Sequence, residues 1–337
     1  MLAALQTHLT RHGSGSSPAT GTALASLVHA ELDQLPLPGE GATWLRWQLL
    51  AAVGAHDLSL LKLFEGHTDA LAILAELGSV WPSGLTWGVW CAEPPQARVD
   101  SSPPDAQGLT HISGRKAWCS GAATVSHALV STWNDQGESC LVAVALDQAG
   151  VTITNQGWQA VGMAGAASVD VLFNRASGIQ VGPPGAYLSR PGFWQGGAGV
   201  ASGWYGAALA LGELVRAACQ DKAGRSDPHQ LAHLGQIDIA LQACRALLHQ
   251  VATWIDHHPT TNARTQALRA RLVAENCATQ VMKHAGRALG AGPWCQHEHS
   301  ARLMADLPVF LRQSHAERDL AALGLDLLDA KPSPWLL

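Results

Sequence analysis

The stretch "GRKAWCSGAATVSHALV", Gly114 to Val130, decides how the chain is read. A Gly-Arg-Lys turn leads into a tryptophan, a cysteine and a serine, and a second strand-like run follows. Along a strand, residues two apart share a face. Trp118 and Ser120 are therefore expected to point one way and Cys119 the other. A broad aromatic with a hydroxyl beside it suits a flat ligand that carries acceptors along one edge. The same spacing suits a core tryptophan followed by an ordinary strand-end serine, and periodicity alone does not separate the two.

On either side lie further short runs, "LTWGVWCAE", "HALVSTW", "SCLVAVAL", "VTITNQGW" and "VDVLFNRA", rich in Val, Thr, Ile and Trp and broken by turn residues. Strands of this kind at intervals of roughly 8–12 residues predict a small β-barrel or sandwich. Before it, "TALASLVHAELDQL" and "ATWLRWQLLAAVGAHDLSLLKLFEGHTDALAILAELG" carry apolar residues at helical spacing, with "GSGSSPATG" (Gly13–Gly21) expected to be a flexible connector. After "VGPPGAYLSRPG" the helical period returns in four long amphipathic runs, which predict a bundle. The expected fold class is α+β, mainly α. It comprises an N-terminal helical domain (1–83), a middle β-barrel domain (84–182) and a C-terminal four-helix bundle (183–337).

Composition narrows the function classes. The chain has 337 residues, a formal charge of -5 and only 14% charged residues. No clustered basic face is visible, so nucleic acid is not an expected partner. Polar residues interrupt every apolar run before it could span a bilayer. The first residues lack a basic start followed by an apolar block, which favours a cytoplasmic location. Seven cysteines, an odd number with no CxxC pair, suit neither a disulfide framework nor a zinc site. His297, Glu298 and His299 do not share a helical face as metal-binding HExxH requires, and no metal is expected. The glycine-rich words "GWQAVGMAG" and "GGAGVASG" follow no strand of a βαβ unit, so a nucleotide loop is not expected there.

Taken together, segment order and local words resemble the acyl-CoA dehydrogenase superfamily of flavoproteins. "CAEPPQARVD" is similar to its Thr-Glu-Pro segment, and "GRKAWCSGAATVSHALV" to its Gly-x-Lys-x-Trp-x-Thr/Ser strand. "AVGMAGAASVDVLFNRA" looks like Gly-Met-Arg-Gly-Ser followed by Val-x-Phe, and "RALGAGPWC" is a looser match to the last interhelical turn. The resemblance implies an FAD-dependent oxidoreductase that removes hydrogen from Cα–Cβ of an acyl thioester such as an acyl-CoA, or of a similar small substrate. It also implies a homodimer or homotetramer. Trp118 would lie against the flavin ring, Ser120 would hydrogen-bond near ring N5, and Glu93 would belong to the cofactor site.

The departures concern chemistry. The superfamily's glutamate base falls on Gln313 or Ser314, and its second location, "FWQGGAGVASG", has no carboxylate. His315, four residues from Asp319, and Glu317 are the candidate substitutes, a histidine–aspartate pair being a possible base near neutral pH. The same spacing also describes a surface ion pair at the start of the last helix. Ala92 and Ala164 replace a threonine and an arginine of the pattern. The arginine word for the flavin pyrophosphate is not recognisable in "DKAGRSDPHQ", where Lys222 or Arg225 match it in charge alone. Two other readings therefore stand beside the dehydrogenase: a flavin monooxygenase or oxidase on the same scaffold, which needs no glutamate base, and a non-catalytic partner subunit.

Overall fold

The β-rich middle of the chain forms seven strands in the computed structural model, which describes residues 1–11, 17–220, 227–328 and 331–336. The strands are β1 (Trp87–Trp90), β2 (Val99–Ser101), β3 (Leu109–Cys119), β4 (His127–Trp133), β5 (Ser139–Ala145), β6 (Val151–Ile153) and β7 (Val169–Gln180). Their order runs β4-β2-β3-β7-β5 and returns to β4, because β4 and β5 pair antiparallel along their whole length, from His127↔Ala145 to Trp133↔Ser139. The expected barrel is therefore closed, with its seam at the single parallel pair Asp100↔Trp133 between β2 and β4. Closure leaves few unpaired strand edges. β1 lies parallel against β4, and β6 antiparallel against β7.

Helices α1 (Leu2–Arg11), α2 (Ser17–His29), α3 (Thr43–His56) and α4 (Leu58–Glu76) precede the strands. Ser17 to Gly21, expected in the connector, are the opening residues of α2; Gly13 to Ser16 lie outside the described residues. α4 lays Ala70, Ile73 and Leu74 on Trp87, Leu129, Leu141 and Ala143 of the barrel. That cover is why the middle five residues of both β4 and β5 are buried rather than alternating.

By contacts the chain divides into two compact units, Met1–Leu35 with Ser59–Phe193, and Pro36–Leu58 with Trp194–Leu337. The first holds α1, α2, nearly all of α4, the barrel and α5 (Ala186–Ser189). The second holds α3 together with α6 (Gly192–Gln220, from its third residue), α7 (Pro228–His257), α8 (Arg264–Leu289), α9 (Gly292–Gln296), α10 (Glu298–Phe310) and α11 (Glu317–Leu328). α3 joins this unit because glycines let two backbones touch. A Cβ on Gly54 would sit 2.4 Å from the Gly203 carbonyl oxygen, and one on Gly206 would sit 2.0 Å from that of Ala51. Gly203 and Gly206 of α6 thus serve helix packing. Asp256 of α7 completes the join by accepting hydrogen bonds from the backbone N–H of Gly41 and Thr43 and from the Thr43 hydroxyl.

α7 and α8 pack side by side along apolar positions three, four or seven apart: Ile237, Cys244, Leu248 and Val251 on one helix, Ala267, Ala270, Ala274 and Val281 on the other. The expected fourth helix, in contrast, is two helices. α10 ends at Phe310, a short turn covers Leu311–Gln313, Ser314 is extended, and Ala316 has φ 46° before α11 begins. The interruption is held from α8: Arg271 donates to the Gln313 carbonyl at 2.6 Å, and the Ser314 hydroxyl donates to Glu275. Among the described residues no helix is long and apolar enough to cross a membrane.

Candidate functional site

The site begins where β3 breaks its rhythm. Against β7, Lys116 pairs with Val171 but Cys119 pairs with Val169, so β3 spends three steps where its partner spends two. The extra residue makes a β-bulge. Trp118 sits in it with φ 58°, in the left-handed region that bulky residues avoid at a cost of about 1–3 kcal/mol. The bulge resets the strand: Lys116, Ala117 and Cys119 are buried, while Trp118 is 52% exposed. Trp118 is thus exposed and Cys119 buried through the bulge rather than through regular alternation, and Ser120, half-buried, lies in the turn that follows.

Beyond the bulge, Ser120 is tied down from three sides. Its N–H donates to the Trp118 carbonyl at 3.0 Å, its carbonyl accepts from the Trp90 indole at 3.1 Å, and its hydroxyl lies 2.8 Å from that of Ser168. Ser168 ends a second irregular segment, in which Met163 (φ 59°) and Ala167 (φ 38°) are also left-handed. The two segments are stitched by Gly121 N–H donating to the Ala166 carbonyl at 2.7 Å. Three non-glycine residues in this conformation around one serine pair are a concentration of strain of the kind found at binding sites.

Glu93 is the counter-ion of Lys116, which lies two residues before Trp118 on β3. The fully buried Lys116 ammonium donates to Glu93 (2.6 Å), to the Ser131 carbonyl (2.9 Å) and to the Ser131 hydroxyl (2.7 Å), using all three protons. The Glu93 carboxylate also accepts from the Ser131 hydroxyl and from the Trp133 indole. Burial pushes the Glu93 pKa up, but the hydrogen bonds from Lys116, Ser131 and Trp133 outweigh it and hold the group below its ordinary value. With both oxygens engaged, Glu93 anchors the strand that leads to Trp118.

His315 and Glu317 lie in the other unit, at the interruption between α10 and α11. His315 precedes the helix; its ring Nδ1 is 3.3 Å from Asp319 Oδ1, and its backbone N–H donates to Asp319 Oδ2 at 3.0 Å. Asp319 is buried and His315 exposed, so this aspartate both caps the start of α11 and orients the imidazole. Glu317 is exposed in the first turn of α11. The carboxylate that sequence reading missed is Glu275 of α8, which accepts from the Ser314 hydroxyl and pairs with Arg312 at 2.7 Å. It faces Ser314 from a distant helix, which no local word betrays. Lys222 and Arg225 lie outside the described residues. Among the described residues no three histidine, cysteine or carboxylate groups converge as a metal site.

Solved structures share this architecture at low sequence identity. Dibenzothiophene monooxygenase TdsC from Paenibacillus sp. A11-2, in a complex with FMN and indole, has a TM-score of 0.79 at 19% identity, covering 99% of this chain and 98% of that one. The chain has the fold of this enzyme. Methanesulfinate monooxygenase MsuC from Pseudomonas fluorescens gives a TM-score of 0.80 at 19% identity over 99% of this chain and 98% of its own. Nitrososynthase from Micromonospora carbonacea var. africana gives 0.80 at 17% identity over 98% and 96%. By sequence, neither a family model nor a curated protein matches.

Proposed function

We propose that the chain is an FMN-dependent monooxygenase acting on a small organic substrate. The observation that carries this reading is the fold shared along nearly the whole chain with TdsC, whose solved structures include FMN, taken with a half-exposed indole held in a strained bulge two residues before a half-buried serine. It favours the oxygen-using alternative over the dehydrogenase. A dehydrogenase of the acyl thioester type needs a free carboxylate base, and the one carboxylate bonded to Ser314, Glu275, already accepts from that hydroxyl and from Arg312.

The residues present fit a flavin ring. Trp118 offers a half-exposed aromatic face, and the Ser120 hydroxyl two residues on, bonded to that of Ser168, offers a hydrogen-bonding group for its edge. FMN is favoured over FAD because the word that would supply an arginine to a pyrophosphate is not recognisable in the chain, and FMN carries a single phosphate. Reduced FMN supplies the electrons for activating dioxygen. The chain's own part is to hold the ring with Trp118 and Ser120, with the Glu93–Lys116 pair fixing β3 beneath them. For proton handling we carry forward His315, oriented by Asp319, with Glu317 as the second candidate. A homodimer or homotetramer remains part of the proposal.

The test is incubation of the purified protein with FMN and a flavin-reducing partner under labelled dioxygen. Bound flavin with one labelled oxygen atom in an organic product supports the reading. Flavin binding with substrate desaturation and no oxygen incorporation would restore the dehydrogenase, and failure to bind flavin would favour a non-catalytic role.

A further inference from the structure

Ser168 is 6% exposed, and among the described residues its hydroxyl has one hydrogen-bonding partner, the Ser120 hydroxyl at 2.8 Å. Either oxygen can be the donor in that contact, and the surroundings decide which one is. The two hydroxyls hold two protons, and the bond between them uses one. If Ser120 donated to Ser168, the leftover proton would sit on Ser168, buried and with no other acceptor among the described residues. If Ser168 donates outward, the leftover proton sits on Ser120, the more exposed of the two, where a ligand or water can accept it. A stranded buried donor is the less tolerable arrangement, since an unused lone pair on a buried oxygen is less costly than an orphaned O–H.

We infer that Ser168 is a positioning residue that makes Ser120 a donor, not an acceptor, toward the flavin edge. This deepens the proposed function and rests on it. The consequence is a choice of ligand chemistry: the edge that meets Ser120 must carry an acceptor, as the unprotonated N5 of an oxidised flavin does. The backbone supports the role. Ala167, immediately before Ser168, has φ 38°, and Val169 N–H donates back to the Ala167 carbonyl at 2.8 Å, so a tight turn fixes where the Ser168 hydroxyl emerges.

The experiment compares wild type with Ser168→Ala, Ser168→Thr and Ser120→Ala, each loaded with FMN isotopically labelled at N5. It reads the N5 resonance by NMR and the FMN dissociation constant by fluorescence. Ser168→Ala frees the Ser120 rotor, so the N5 resonance moves in the direction it moves in Ser120→Ala, while FMN affinity changes by only about threefold or less. Ser168→Thr, which keeps the hydroxyl, restores the wild-type resonance. A Ser168→Ala resonance identical to wild type, alongside a shifted Ser120→Ala, overturns the inference and leaves the monooxygenase reading intact. Wild-type protein that binds no FMN overturns both.

Discussion

Lys116 and Glu93 form an ion pair of 2.6 Å in which the ammonium is fully buried and the carboxylate is 33% exposed. The asymmetry decides what each substitution does. Glu93→Ala strands a buried cation, whereas Lys116→Met leaves a carboxylate that water can reach. Glu93→Ala is therefore expected to destabilise the protein by about 3 kcal/mol, and Lys116→Met by about half as much. Urea unfolding of the two variants checks the order; equal losses would mean that the pair does not govern stability here.

Trp118 occupies a left-handed conformation that glycine adopts freely. Half of the indole is still buried, so Trp118→Gly forfeits roughly 3 kcal/mol of burial, which the relief of about 1 kcal/mol of strain offsets only in part. The variant is expected to melt below wild type, though by less than Trp118→Ala, which keeps the strain, and to bind FMN less tightly. Loss of stability with FMN affinity unchanged would identify Trp118 as a packing residue instead.

His233 Nδ1 and His284 Nδ1 lie 3.0 Å apart between α7 and α8, a contact in which at least one ring must be unprotonated. The His284 pKa is lowered by burial and by the neighbouring charges of His233, Lys283 and Arg287. The unfolded chain then binds more protons than the folded one below the ordinary histidine value of 6.5, so stability falls as pH drops through that value and levels off below the folded-state pKa. Melting temperatures across this range should decline less for His284→Gln than for wild type. Parallel profiles would show that the contact does not sense pH.

His315→Ala is expected to lower turnover by about a hundredfold with FMN affinity unchanged, as loss of a general acid or base does. His315 lies outside α11 and is exposed, so folding should be spared. Steady-state kinetics with a melting curve on the same sample separate a chemical role from a capping one.

The order helices, strands, helices was legible because it rests on periodicity, which local sequence carries. The fourth bundle run was misread as one helix because its apolar spacing continues through Leu311, while the interruption is imposed by Arg271 and Glu275 from α8. The exposure of Trp118 opposite the buried Cys119 agrees with their spacing, but the bulge that produces it depends on the register against β7. Ser168 was visible as the serine of "AGAAS", in a word already similar to a flavoprotein motif. Its pairing with Ser120 joins residues 48 apart and could be found only in the fold.

The central claim is tested most directly by titrating the purified protein with FMN and repeating the titration with Trp118→Ala. The account predicts saturable binding that perturbs the visible flavin bands, weakened about tenfold when the indole is removed. Flavin bands that stay those of the free cofactor, or identical binding curves for the two proteins, would contradict it.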